Sequence, residues 1–464
     1  MNRRPGAVGA SFRDPAGFVF KDGETVRRAV TSHGRSDYDR LISSGLYREL
    51  TEKGWLVGHG ESASAEAGVY KILTPQPIRV ITYPYEWCFS QLQDAAIRTL
   101  EIQLAAIERG LSLKDATPFN IQWRTGAPVL IDTLSFESLK ERPWFAYKQF
   151  CETFLAPLAL MAHVKPDFNK YLSVDLSGVN LSFASRCLPR LTRLHPGMLA
   201  HIHLHALSQE KFDRASTDRP SAASMKLPKS ALMSLVRSLL DLTRSLRLKK
   251  QKTVFGDYYA ECAHYSRDAE ESKIRLVETW IDEAAASAAL KEALDLGSNN
   301  GKFSRLFTKK NILCVSVDSD PFCVDENYAL SKRTPDPNML PLLMDLTNPS
   351  SDLGWAGGER DSFFKRVNPG LVMALALVHH LRIGNNVPTE MIADFFHDIA
   401  PLLIIEFVPK EDPMVRKLLA SRDDIFHDYD AGAFEAAFNR GFEILRKSPV
   451  AGTPRILYYL KRKK

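Results

Sequence analysis

The sequence predicts an α/β chain: a doubly wound, seven-stranded sheet over residues 251–464, preceded by an α+β domain over 1–208 and joined to it by a segment at 209–250. Three observations carry this. The C-terminal portion alternates short apolar runs with amphipathic stretches, and several of those runs end in a polar residue. Asp295-Leu296-Gly297-Ser298-Asn299-Asn300-Gly301 turns one run into a helix. At 464 residues there is also room for two or three domains.

In chain order, Phe18-Val19-Phe20-Lys21-Asp22-Gly23-Glu24 has the pattern of a hairpin, and 91–109 that of a helix. Lys114-Asp115-Ala116-Thr117-Pro118-Phe119-Asn120 follows, then an apolar strand from Pro128 that ends in Asp132. An Asp, an Asn five positions later and a strand-end Asp resemble the catalytic loop and metal-binding Asp of kinase-like folds. That resemblance implies a proton-accepting Asp115, with Asn120 and Asp132 holding magnesium on a nucleotide. It is incomplete: no G-x-G-x-x-G loop precedes it, and the triplet at Asp132 is Asp-Thr-Leu. The expected role is therefore an accessory binding domain without catalysis, the alternatives being an active phosphotransferase and an unrelated α+β domain with a chance D-x-x-x-x-N. A Ser/Asp/Arg/Pro/Lys-rich stretch at 209–229 breaks the chain, and 230–250 reads as a basic amphipathic helix.

The C-terminal strands are expected at 312–317, 340–344, 371–377 and 402–405, ending in Asp318, Asp345, Val378-His379-His380 and Glu406. Runs at 442–445 and 455–460, joined by a Pro/Gly turn, are the expected antiparallel closing pair. Gly297 and Gly301 permit positive φ and close backbone approach, but without a third glycine the loop is not a pyrophosphate cradle. The pattern D-x-G-x-x-x-G instead resembles the first motif of class I S-adenosylmethionine-dependent methyltransferases. The likeness extends to a bacterial group with nodulation-associated members, through Tyr265-Ser266, Asp295-Leu296-Gly297, Leu375-Ala376-Leu377-Val378-His379-His380 and Glu406-Phe407-Val408-Pro409-Lys410.

The resemblance implies S-adenosylmethionine as cofactor. It places Asp295, Gly297, Ser298, Asn299 and Gly301 around the methionine moiety, Asp318 and Ser319 at the ribose, and Asp345 and Leu346 at the adenine. Tyr258, Tyr265 and Lys273, in the leader before the sheet, would cover the cofactor. Any single strand-end acid can equally be a turn residue or a helix cap. One departure is Val367-Asn368-Pro369-Gly370, where the family commonly has an Asp at the start of the fourth strand.

Methyl transfer is an in-line displacement, so alignment and, where needed, a general base suffice. His379 and His380 are candidates for that base, histidine being the side chain whose pKa suits proton removal near neutrality; acceptor positioning or packing are their other roles. Glu406, with Lys410 and Asp412, could grip a polar acceptor, or form a solvated loop in which Asp412 caps a helix begun by Pro413.

The composition, 45% hydrophobic and 25% charged, fits a soluble enzyme. The six cysteines lack C-x-x-C pairing, so free thiols and no metal site are expected. The N-terminus has no apolar signal region and no apolar run spans a bilayer, pointing to the cytoplasm. The net charge of +6 is modest and sits largely at 244–252 and in the terminal Lys461-Arg462-Lys463-Lys464. The charge raises nucleic acid or an acidic membrane surface as a partner; nucleic acid is possible but disfavoured, and a small-molecule, saccharide or lipid-linked acceptor is preferred. A cofactor-binding regulatory protein without turnover is the reading from a different class.

Overall fold

The computed structural model describes residues 8–213, 226–249, 267–287, 290–399, 401–420 and 422–463. Two compact units divide the chain: Met1–Lys250 with Ser350–Ser362, and Gln251–Pro349 with Phe363–Lys464. The first unit thus takes in a short excursion from the sequence of the second.

In the first unit, β1 (Gly17–Asp22) and β2 (Thr25–Thr31) form the expected hairpin, with Gly23 at φ +60° in its turn. With β3 (His59–Ala63) and β4 (Val69–Pro75) they make an antiparallel sheet in the order β1-β2-β4-β3. The helix Phe89–Glu108 buries Leu92, Ala95, Ala96, Thr99, Leu100, Gln103 and Ile107, a stripe at helical spacing. Two small antiparallel two-stranded sheets follow: β5 (Leu111–Leu113) pairs with β8 (Phe136–Ser138), and between them in sequence β6 (Ile121–Arg124) and β7 (Ala127–Leu130) form a hairpin. The helix Lys229–Ser245, expected within a connecting segment, falls inside this unit and packs on Phe89–Glu108, where Arg244 reaches Glu101 at 2.9 Å.

In the second unit, five parallel strands, β9 (Glu292–Leu296), β10 (Leu313–Asp318), β11 (Met339–Leu343), β12 (Leu371–Ala374) and β13 (Leu402–Phe407), are joined by antiparallel β14 (Phe442–Pro449) and β15 (Ile456–Arg462). Their order is β11-β10-β9-β12-β13-β15-β14. The order reverses beside β9, so the carboxyl ends of β9 and β12 open a crevice at the switch point. β9 to β13 are buried almost throughout, as a parallel sheet covered on both faces requires.

The fourth parallel strand is shorter than expected. It ends at Ala374, because Ala376 adopts φ +50° and turns Leu375-Ala376-Leu377 out of the ladder. At its other end, Asn368 N–H donates to Glu292 Oε1 at 2.8 Å and Gly370 N–H to Glu292 O at 2.9 Å. Glu292 therefore fixes the turn into β12 without an acid at position 368.

Candidate active site

The first loop is shaped by backbone that most residues avoid. Gly297 (φ +75°), Asn299 (φ +51°) and Gly301 (φ +75°) all adopt left-handed conformations. A Cβ on Gly297 would lie 3.2 Å from Leu377 Cδ1, and one on Gly301 2.4 Å from the Asn327 amide. Gly297 and Ser298 N–H groups both donate to Val317 O, at 2.9 and 3.0 Å, tying the loop to the end of β10.

Asp295 sits beneath this loop, 2% exposed, and accepts from Ser304 Oγ at 2.5 Å. Burial pushes its carboxyl up to about 7. Asp318 accepts from Asn299 N–H at 2.7 Å on one oxygen and from Asp320 N–H at 2.8 Å on the other. Burial holds this carboxyl above its ordinary value against those bonds. Asp318 is thus a brace for the loop whose remaining lone pairs can still receive a diol. Asp345 accepts Thr347 N–H at 2.8 Å and Thr347 Oγ1 at 2.7 Å, a local turn at the end of β11.

A cavity of about 300 Å³ opens over these residues, lined by Lys273, Asp295, Gly297, Ser298, Asn299, Asp318, Ser319, Asp345 and Leu346 of the expected set. Gly301 shapes the loop from outside that lining. Tyr258 and Tyr265 lie outside the described residues. Glu270, Asn385 and Arg455 also line the cavity and are not evident from the sequence motifs. The only hint for Arg455 is its place after the Pro/Gly turn, as the residue that enters the last strand.

The fit to S-adenosylmethionine is carried by the loop. Gly297 leaves room for a ligand to approach the backbone, and the buried Ser298 Oγ has no hydrogen-bond partner among the described residues. Apolar Leu375, Ala376, Leu377 and Phe303 face the same space, matching a ligand with both apolar and polar parts.

Behind the cavity lies a buried ionic cluster. Lys273 Nζ, in the helix Arg267–Ser287, reaches Glu406 Oε2 at 2.6 Å, and Arg455 grips Asp412 through Nε at 2.7 Å and Nη2 at 3.2 Å. Arg455 Nη1 stands 3.8 Å from Glu406 Oε1. Burial lowers the Lys273 pKa while Glu406 opposes the shift.

The three residues expected as a catalytic set do not share one surface. His380 lines the cavity, whereas His379 is 1% exposed, its Nδ1 without a hydrogen-bond partner among the described residues. Their rings are 4.2 Å apart, and burial lowers both pKa values. Glu406 is fully buried beneath Lys273. The Glu406–Lys410–Asp412 grip is not assembled: Lys410 turns away to Asp424 at 2.7 Å, while Asp412 caps the helix Pro413–Leu419 through Met414 N–H at 2.9 Å.

In the first unit, Asn120 Nδ2 donates to Asp115 Oδ2 at 2.9 Å. Asp132 accepts Leu134 N–H at 2.8 Å and pairs with Arg28 on β2 at 2.6 Å. Burial, with the Asp132 charge second, raises the Asp115 pKa.

Over 467 residues the chain is 32% identical to nodulation protein NoeA of Rhizobium meliloti (strain 1021), spanning 99% of this chain and 97% of that one. The chain belongs to the NoeA family. Its second unit has the Rossmann-like order of strands, with the Asp295–Gly301 loop lining the cavity at the switch point. No family model matches this NoeA relative. Among solved structures, WbdD with kinase inhibitor LY294002 aligns at TM-score 0.31 and 16% identity, over 45% of this chain and 44% of that one. Magnesium protoporphyrin IX methyltransferase of Synechocystis PCC 6803 with bound SAH aligns at 0.31 and 16%, over 46% and 100%. N-methyltransferase NodS of Bradyrhizobium japonicum WM9 aligns at 0.31 and 11%, over 43% and 99%. Among the described residues no helix is long and apolar enough to cross a membrane.

Proposed function

We propose that this NoeA-family protein methylates a small-molecule, saccharide or lipid-linked acceptor, and that its kinase-like first unit is a binding module without phosphotransfer. The observation that carries the first part is the placement of His380 in the same cavity wall as the loop residues Gly297, Ser298 and Asn299.

Bound there, S-adenosylmethionine would supply an electrophilic methyl group. The loop donates its Gly297-side space and the Ser298 hydroxyl to hold the ligand, while Asp318 and Asp345 offer acceptors at the ends of β10 and β11. His380 has its pKa lowered by burial and by the Arg455 charge, so its ring is neutral at pH 7 and able to take a proton from an acceptor hydroxyl or amine. Lys273 and Arg455 are fixed by Glu406 and Asp412, which keeps two cations at the cavity wall without mobile side chains. His379, enclosed behind His380, orients it by packing.

The second part rests on how the first unit spends its polar groups. Asp132, which a kinase would offer to a metal, is held by Arg28, and Asn120 is turned to Asp115. Calorimetric titration with S-adenosylmethionine, then a search for S-adenosylhomocysteine release against fractionated extract, tests the proposal. Binding with turnover in a saccharide, lipid or small-molecule fraction supports it. Binding with no turnover in any fraction would replace it with a regulatory role, and turnover only on RNA would overturn the acceptor class.

A further inference from the structure

Residues 176–209 contain no Asp or Glu and carry Arg186, Arg190 and Arg193. In the first unit they build Leu181–Cys187, the turn Arg190–Leu194, the short helix Pro196–Met198, and Leu199–Leu204 running on into His205–Asp213. His203, 4% exposed, holds them together, its Nδ1 2.8 Å from Ser185 Oγ and its Nε2 2.9 Å from Thr192 Oγ1. Thr192 Oγ1 also donates to Pro189 O at 2.6 Å. The turn is therefore pinned from beneath by buried hydrogen bonds.

What it presents outward is apolar. Leu191 and Leu194 are 76% and 78% exposed, alternating with exposed Arg190 and Arg193. Phe183, Leu204 and Leu207 add exposed apolar surface on the touching elements. The arginines pair with no carboxylate among the described residues. Of the acids flanking the stretch, Asp167 is taken by Lys165 and Lys170 at 3.1 and 3.2 Å, Asp175 accepts Ser177 N–H at 2.9 Å, and Glu210, at its downstream edge, pairs with none of the three arginines among the described residues.

We propose that this turn docks the protein on an anionic phospholipid surface. Leu191 and Leu194 enter the headgroup–acyl boundary, and Arg186, Arg190 and Arg193 meet the phosphates. A rigid turn that holds two leucines in water gains free energy only where something apolar receives them. Arg190 and Arg193 beside them and Arg186 nearby, paired with no carboxylate among the described residues and in a stretch without acids, select an anionic interface over an apolar protein groove. The inference is independent of the methyl-transfer chemistry.

The test is co-sedimentation of the full chain with phosphatidylcholine vesicles, with and without phosphatidylglycerol, at low and high salt. Pelleting with the phosphatidylglycerol vesicles alone, weakened by salt, is expected. Leu191→Ser/Leu194→Ser and, separately, Arg190→Glu/Arg193→Glu should each weaken partition by about tenfold or more. These side chains are exposed, so thermal unfolding of both variants should match wild type, which separates lost docking from lost folding. Wild-type protein that ignores both vesicles, or variants that pellet as wild type does, would overturn the proposal. So would a leucine variant that loses self-association in light scattering while wild type binds no vesicle, since the face would then be a protein interface.

Discussion

The two units each carry a polar loop at the end of an apolar strand, and the loops spend their polar groups in opposite ways. Around Asp295–Gly301, left-handed backbone and a missing Cβ leave a cavity open above the loop, and Ser298 Oγ has no hydrogen-bond partner among the described residues. Around Asp115–Asp132, most polar groups are engaged within the fold, Asn120 on Asp115 Oδ2, Arg28 and a backbone N–H on Asp132, while the buried Asp115 Oδ1 is without a hydrogen-bond partner among the described residues. The spacing of a motif gives residues the chance to meet a ligand. Whether they are left available is decided by their neighbours.

The sharpest test of the open loop is its chemistry. His380→Ala should lower kcat by about 10²–10⁴-fold while changing S-adenosylmethionine affinity little, as expected for loss of a general base. The histidine is competent when neutral, and its pKa is lowered from 6.5. The wild-type rate should therefore hold steady as pH falls to 6.5 and decline only below that, as the ring protonates. A decline centred well above pH 6.5, or a variant as fast as wild type, would assign the proton to another group.

The cluster behind the cavity should dominate stability. Glu406→Gln leaves Lys273 buried without its 2.6 Å partner and should cost about 3–5 kcal/mol in urea unfolding. Replacing the pair together, Lys273→Met/Glu406→Leu, should restore much of that, because no uncompensated charge remains. A double variant no more stable than Glu406→Gln would mean that Arg455, 3.8 Å from Glu406, and not Lys273, is the charge that matters.

Next in size is the loop itself. Gly297→Val brings strain at φ +75° and a Cβ 3.2 Å from Leu377, in all about 1–3 kcal/mol, so cofactor affinity should fall by about 10–100-fold by calorimetry. Unchanged affinity would move the cofactor away from this loop.

Much of this was legible in the residues. Strand-end polar residues and the glycine pair marked the sheet and its crevice because parallel strands buried on both faces leave an apolar signature that periodicity can read. Arg455 and Glu270 escaped, since they reach the cavity from a closing strand and a leader helix, and a contact between distant elements leaves no local pattern. Lys410 illustrates the converse: its neighbours in sequence suggested a grip on substrate, but after the Glu406 strand the chain turns and sends it to Asp424. The short fourth strand was hidden for a related reason, as Leu375-Ala376-Leu377 is apolar enough for a strand and turns aside only through the backbone of Ala376.

The smallest expected effect bears on the closed loop. Asp132→Asn removes the carboxylate that Arg28 holds at 2.6 Å, with both side chains only partly exposed. The loss should be about 1–3 kcal/mol in the stability of the first unit, the range for a charged hydrogen bond. S-adenosylmethionine affinity, which the proposed function assigns to the second unit, should stay within about twofold of wild type. Arg28→Met should produce a loss of similar size, because either change breaks the same pair. If Asp132 instead serves a metal–nucleotide complex, Asp132→Asn would abolish magnesium-dependent ATP binding that the wild-type protein displays. Wild-type protein that binds ATP equally with and without magnesium, or not at all, keeps the carboxylate with Arg28. Loss of cofactor affinity on changing Asp132 would be the more damaging result, since it would mean that the polar groups of the two loops are not spent separately.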